Sequence, residues 1–108
     1  MKASDFCVIT TTTDSKENAD ALTQMLLQKK LVACVQSSTI QSAYHWEGKM
    51  MRSEEILLQM KTKKDLFKTI QKEIEDLHSY DLPEIILLPL EDANLSYLQW
   101  ILEVTKKV

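Results

Sequence analysis

His78 opens a polar stretch, His78-Ser79-Tyr80-Asp81-Leu82-Pro83-Glu84, in which an imidazole stands near two carboxylates. Imidazole with carboxylate is a donor set that suits Cu2+, Zn2+ or another divalent ion. His78 with Glu84 is therefore the candidate for a weak metal site. A lone histidine without a second ligand at metal-binding spacing fits a plainer role better, as a cap on the end of the preceding helix. Cys7 and Cys34 are soft donors that suit Cu+. Both fall in strand-like apolar segments, where a thiol also packs as a small core hydrophobe. Tyr44, Trp46, Tyr80, Tyr97 and Trp100 form a further group. They serve either as packing for a core and an interface or as the wall of a cleft. Lys61, with Glu47, Glu54 or Glu84, would supply such a cleft with polar groups. Lys63-Lys64 and Glu54-Glu55 read as solvated surface.

The elements that must position these groups follow one another without a linker or repeat. Phe6 to Thr12 is β-branched and reads as a strand. Asp14-Ser15-Lys16-Glu17 resembles a capping box. It leads into a helix carrying Ala19, Leu22 and Leu26, closed by Lys29-Lys30 at its negative end. Leu31 to Val35 is apolar. Ile40 to Trp46 and Ile56 to Lys61 alternate and read as two strands joined at Glu47-Gly48, because glycine takes positive φ at little cost. Thr62 starts a second helix with Leu66, Ile70, Ile74 and Leu77 as its apolar stripe. Ile85 to Leu88 reads as a strand buried on both faces, and Asn94 caps a last helix with Tyr97, Leu98, Ile101 and Leu102. The order is that of the ferredoxin-like βαββαβ fold, an α+β class, with one additional C-terminal helix. Helices on one face leave the other face of the sheet, with Cys34, Tyr44, Trp46 and Leu57, too apolar for open water. A second subunit is the expected cover.

A chain of 108 residues suits one domain, residues 1–108. Its net charge of −3 is mild and its signs are interspersed, so no nucleic-acid partner is expected. No apolar run approaches the roughly 20 residues of a membrane helix, and the N-terminus has no signal-peptide pattern. Two cysteines without Cys-x-x-Cys spacing point to reduced thiols in the cytoplasm. A single glycine cannot build the glycine-rich loops of the phosphate-cradling nucleotide folds. No Ser-His-Asp or Cys-His arrangement follows from spacing. Arg52, the one arginine, is not after the first strand, where an acylphosphatase of this fold would need it. No enzyme is expected.

Ala33-Cys34-Val35, Tyr44-His45-Trp46-Glu47-Gly48-Lys49, Met60-Lys61-Thr62, His78 to Glu84 and Tyr97-Leu98-Gln99-Trp100 resemble the CutA family of divalent-cation tolerance proteins. The resemblance runs from about Val8 to Ile101. It implies a cytoplasmic homotrimer with an assembly like that of the PII signalling proteins. Hairpins would pair between subunits, here through Tyr44, Glu47, Gly48 and Lys49. The residues matching retained family positions, Trp46, Lys61, Tyr80 and Trp100, would line an intersubunit cleft. The function implied is tolerance of copper or other divalent ions, with no established catalytic reaction. Ligand sensing in the manner of the PII proteins, or a structural, anchoring trimer, are the alternatives. Two departures touch a metal site. Thr11 stands where some members carry a cysteine proposed to bind copper, and Ser79 stands where the family usually has proline.

Overall fold

The computed structural model describes residues 1–107. A short 3-10 turn, Ala3–Asp5, leads into β1, Phe6–Thr13, which is buried along most of its length. Helix α1 spans Lys16–Gln28, and its N-cap is Ser15, whose hydroxyl accepts from Asn18 N at 3.1 Å. The cap thus lies one residue later than the Asp14 capping box, and Asp14 is free for another task described below. The helix ends in a Schellman motif: Leu31 N donates to Leu26 O and Lys30 N to Leu27 O. That motif places Lys30 at φ 55°, a conformation usually given to glycine.

Strands β2, Cys34–Trp46, and β3, Lys49–Lys63, form one unbroken hairpin paired from Cys34↔Lys61 to Trp46↔Lys49. Its turn holds Glu47 at φ 51° and Gly48 at φ 76°. Two successive positive φ angles match the right-handed strand twist, so the glycine is where hairpin geometry needs it. The strands are longer than the alternation suggests. Ser37-Ser38-Thr39 stays extended, and Thr62 belongs to β3 rather than to a helix. Thr62 is fully buried and donates from Oγ1 to Leu31 O at 2.6 Å. The next helix begins later, as a 3-10 turn at Lys64–Leu66 and then α2, Phe67–Leu77.

Strand β4, Ile86–Pro89, and helix α3, Leu95–Val104, complete the chain. The sheet order is β2-β3-β1-β4, antiparallel throughout. This is the ferredoxin-like arrangement. β4 is an edge strand and not a doubly buried one, which is why Pro89 fits there. Asn94 precedes α3, but its side chain donates to Ser96 Oγ and caps no backbone N–H.

Side chains alternate across the sheet and divide its residues between two faces. Cys7, Ile9, Leu58 and Met60 meet Leu22, Leu26, Ile70 and Ile74 from α1 and α2 in the main core. Phe6 points the other way and forms a second, smaller core with Leu98 and Ile101 of α3. The helices therefore do not share one face. α3 covers one end of the opposite face and leaves the rest open, with Ile86 and Leu88 45% and 50% exposed. β1 pairs with β3 only as far as Ile56, so the hairpin runs on as a two-stranded arm.

Candidate functional site

A cleft of about 510 Å³ opens where the arm leaves the sheet. Thr12 from β1, Tyr44 and Trp46 from β2, Glu55 from β3, and Ser79 to Leu82 with Glu84 from the α2–β4 loop line it. Strand alternation explains why these groups meet. Tyr44, Trp46, Glu55 and Thr12 all fall on the sheet face opposite α1 and α2. Glu55 is only 8% exposed, and Tyr80 Oη donates to its Oε2 at 2.6 Å. Burial, then that hydrogen bond and the nearby Glu55 charge, push the Tyr80 phenol well above its ordinary value. Tyr44 Oη and Ser53 Oγ lie 3.2 Å apart on the same face.

The loop carrying Tyr80 is pinned at three points. His78 Nε2 lies 2.8 Å from the carbonyl of Thr12, and Tyr80 N donates to His78 Nδ1 at 2.9 Å. Nδ1 is thus the acceptor, and Nε2 carries the proton that it gives to Thr12. Glu84 Oε1 accepts from Thr12 Oγ1 at 3.1 Å. Ser79 Oγ donates to Asp14 Oδ1 at 2.9 Å, and Asn18 Nδ2 donates to Leu77 O at 3.1 Å. Ser79, at the position where the resemblance leads one to expect proline, thereby ties the loop to the start of α1.

Thr12 is the point at which His78 and Glu84 meet, one at its carbonyl and one at its hydroxyl. Both His78 nitrogens are engaged, and among the described residues no group of three or more His, Cys, Asp or Glu side chains is gathered as a metal cage. The thiols are far from this place. Cys7 is buried under α1 and α2, and burial pushes it up to about 11 despite the pull of Lys64. Cys34 is on the opposite face, with Sγ 3.6 Å from Tyr97 Oη. Burial and this thiol push the Tyr97 phenol up to about 12. Thr11 Oγ1 is buried without a hydrogen-bond partner.

Of the four residues assigned to a cleft by resemblance, Trp46 and Tyr80 line this one. Lys61 and Trp100 do not. Lys61 pairs with Cys34 and donates to Gln36 Oε1, and Trp100 packs on Tyr97 with ring centroids 5.4 Å apart. Trp46 pairs with Lys49, twelve residues before Lys61 on β3, which at about 3.3 Å per residue puts the two ends about 40 Å apart. Glu55, read from the sequence as solvated surface, is the lining residue that reading missed, whereas Asp81 was one of the two carboxylates noted near His78. For Glu55 the signal was available, since it shares its strand parity with Leu57 and Tyr44.

Comparison with known proteins settles the kinship. The family model described as CutA1 divalent ion tolerance protein matches residues 7–104. The chain belongs to the CutA family. The divalent-cation tolerance protein CutA of Pyrococcus horikoshii is 36% identical over 100 residues, covering 93% of this chain and 98% of that one. A solved structure of CutA from Archaeoglobus fulgidus, described as a periplasmic divalent cation tolerance protein, superposes with a TM-score of 0.91 at 35% identity, covering 94% and 99% of the two chains. CutA from Synechococcus elongatus superposes with a TM-score of 0.92 at 27% identity, covering 98% and 95%. CutA kinship accounts for the fold and for the long hairpin. Among the described residues no helix is long and apolar enough to cross a membrane.

Proposed function

We propose that the chain is a homotrimeric, non-enzymatic divalent-cation tolerance protein that takes copper or another divalent ion weakly beside His78 and Glu84. The observation that carries this reading is the cleft, into which Glu55, Asp81 and Glu84 bring carboxylates, with no lysine or arginine of the same protomer among its described lining residues. Thr12 holds both candidate ligands at its edge. The same geometry argues for weakness. A metal ion reaches His78 only by displacing Tyr80 N–H from Nδ1 or the Nε2 proton from Thr12. Losing one such bond forgoes about 0.5–1.5 kcal/mol, roughly two- to tenfold in affinity. A non-catalytic role is supported by the same facts: the imidazole is engaged at both nitrogens, and burial keeps the Cys7 thiol protonated.

The trimer is supported by the open sheet face and by the split of the cleft residues. Val8, Ile40 and Leu57 are half-buried on that face beside the exposed Ile86 and Leu88. Lys61 of one subunit can join Trp46 only if Trp46 belongs to another, since about 40 Å of strand separates the two within a protomer. The arm, through Tyr44, Glu47, Gly48 and Lys49, would make that contact. The two unpaired cysteines, one on each face of the sheet, support a cytoplasmic setting with reduced thiols.

Native mass spectrometry with and without a small excess of Cu2+ tests the reading. A trimer that takes up copper, and loses it in His78→Ala or Glu84→Gln, is expected. A trimer indifferent to copper removes the metal site and keeps the assembly. A monomer removes the trimer. The aromatic wall of the cleft, unnecessary for a hydrated ion, favours a second reading as a PII-like ligand-sensing module.

A further inference from the structure

We propose that the end of the sheet away from the arm binds a soluble anion carrying several phosphates. The proposal is independent of the cleft and of its metal. The sequence contains three Lys-Lys pairs, Lys29-Lys30, Lys63-Lys64 and Lys106-Lys107. They belong to segments far apart in the chain, and the fold brings them together. Lys106 N donates to Lys30 O at 2.7 Å, and Lys63 Nζ donates to Lys106 O at 2.7 Å. Six of the 13 basic residues thus share one end of a molecule whose net charge is −3. Among the described residues only Lys29 of the six has a carboxylate partner, Glu73 at 2.7 Å. Asp65 and Glu103, the carboxylates nearest to the others in sequence, are not ion-paired with them.

Local stability accounts for one pair of the three. The negative end of α1 favours Lys29 and Lys30. Lys63 and Lys64 stand at the start of the 3-10 turn that leads into α2, where the helix dipole opposes a cation. Neither start has a side-chain cap, so backbone N–H groups add to the donors of the lysines. Lys63 is only 8% exposed, and its one partner among the described residues is an uncharged carbonyl. A buried ammonium without a counter-charge is costly, and a bound anion relieves that cost.

The residue types select the anion. Lysine meets phosphate as a point charge. The segments that carry the pairs hold no tyrosine or tryptophan on which a nucleic-acid base could stack. A lipid surface asks for an amphipathic helix with basic residues on its polar face. Helix α3, which leads into Lys106, has Glu103 as its one charged residue. In the proposed assembly the arm of another copy would come beside Lys61. Its tip carries Glu47 and Lys49, of opposite sign, and adds no net charge to the cluster.

The test is isothermal titration calorimetry of the full chain with sodium tripolyphosphate in metal-free buffer, with sodium sulfate as the control. Saturable binding that weakens as salt rises is expected. The double variant Lys64→Gln with Lys107→Gln should weaken it about tenfold. Lys30→Gln serves as a further variant should that pair fold poorly. Lys72→Gln, at a lysine ion-paired to Asp76 on α2, should leave binding unchanged. Absence of saturation at about 10 mM tripolyphosphate overturns the proposal. Equal affinity for sulfate, or equal weakening by Lys72→Gln, also overturns it, because the attraction would then be to charge at large. Tighter binding in Glu47→Gln does so too, since a carboxylate of another copy would then hold the lysines. Uptake on phosphatidylserine vesicles without tripolyphosphate binding would assign the cluster to a lipid surface and overturn the soluble ligand.

Discussion

Tyr80 and Glu55 decide the shape of the cleft. A carboxylate that is only 8% exposed needs its donor, and the Tyr80 hydroxyl at 2.6 Å supplies it. Tyr80→Phe leaves Glu55 buried without that bond and is expected to cost about 1–3 kcal/mol, read as a lowered urea midpoint at neutral pH. Tyr80, together with two groups elsewhere in the fold, sets an alkaline limit. The Tyr80 phenol is raised by burial, the Tyr97 phenol is pushed up to about 12, and the Cys7 thiol moves from 9.0 to about 11. A group whose folded value lies above its unfolded one stabilises the fold fully below the unfolded value. It loses that contribution as the pH climbs through the folded one. Stability should thus be flat near neutrality and fall from about pH 9 upward, with a shallower fall in Tyr80→Phe above about pH 10. A urea midpoint constant from pH 8 to 11 would contradict this.

Helix α1 and the hairpin both turn through positive φ, but only one has a glycine. Gly48 sits in open space, with nothing within 4 Å of where a Cβ would be, so Gly48→Ala meets only the conformational penalty. That penalty is about 1 kcal/mol. Glu47, at φ 51°, carries a comparable strain. Glu47→Asn, which creates the favoured Asn-Gly pair, is expected to stabilise the hairpin by a few tenths to about 1 kcal/mol. Lys30→Gly should do the same at the Schellman turn, where lysine occupies the left-handed position at φ 55°. Both gains are measured as increases in urea midpoint. If neither substitution raises it, backbone strain is not stored at these turns. The α2–β4 loop, in contrast, is held by side chains. His78, Ser79 and Glu84 attach it to Thr12 and Asp14, so its geometry depends on partners far away in sequence.

At the scale of the molecule, one face of the sheet is closed by α1 and α2 and the other only in part by α3. The remainder, around Val8, Ile40, Leu57, Ile86 and Leu88, is the face on which the proposed trimer would close. Leu88 is 50% exposed at the edge strand, so Leu88→Glu leaves the core untouched. Sedimentation velocity is expected to show that variant shifted from trimer toward monomer at micromolar concentration, with unchanged far-UV circular dichroism. A trimer as stable as that of the parent chain would place the interface elsewhere.

The sequence by itself determined the element order, the turn at Gly48, the stripe of α1, the buried Leu66, Ile70 and Ile74 of the second stripe though not the exposed Leu77, and the CutA kinship. Each is written in local periodicity or in short segments in a fixed order. It also brought forward His78, Glu84, Trp46 and Tyr80, all of which meet at or beside one cleft. Tertiary structure decided what local pattern cannot carry. Thr62 stays in β3 because the Leu31 carbonyl needs its hydroxyl. Helix α3 crosses to the second face because Phe6 points there. Glu55, half of an apparently solvated acidic pair, is buried because strand parity turns it toward Tyr80. His78 has both nitrogens occupied because Thr12, distant in the chain, lies beside it. These are pairings between residues far apart in sequence, and their partners become known only when the chain has folded.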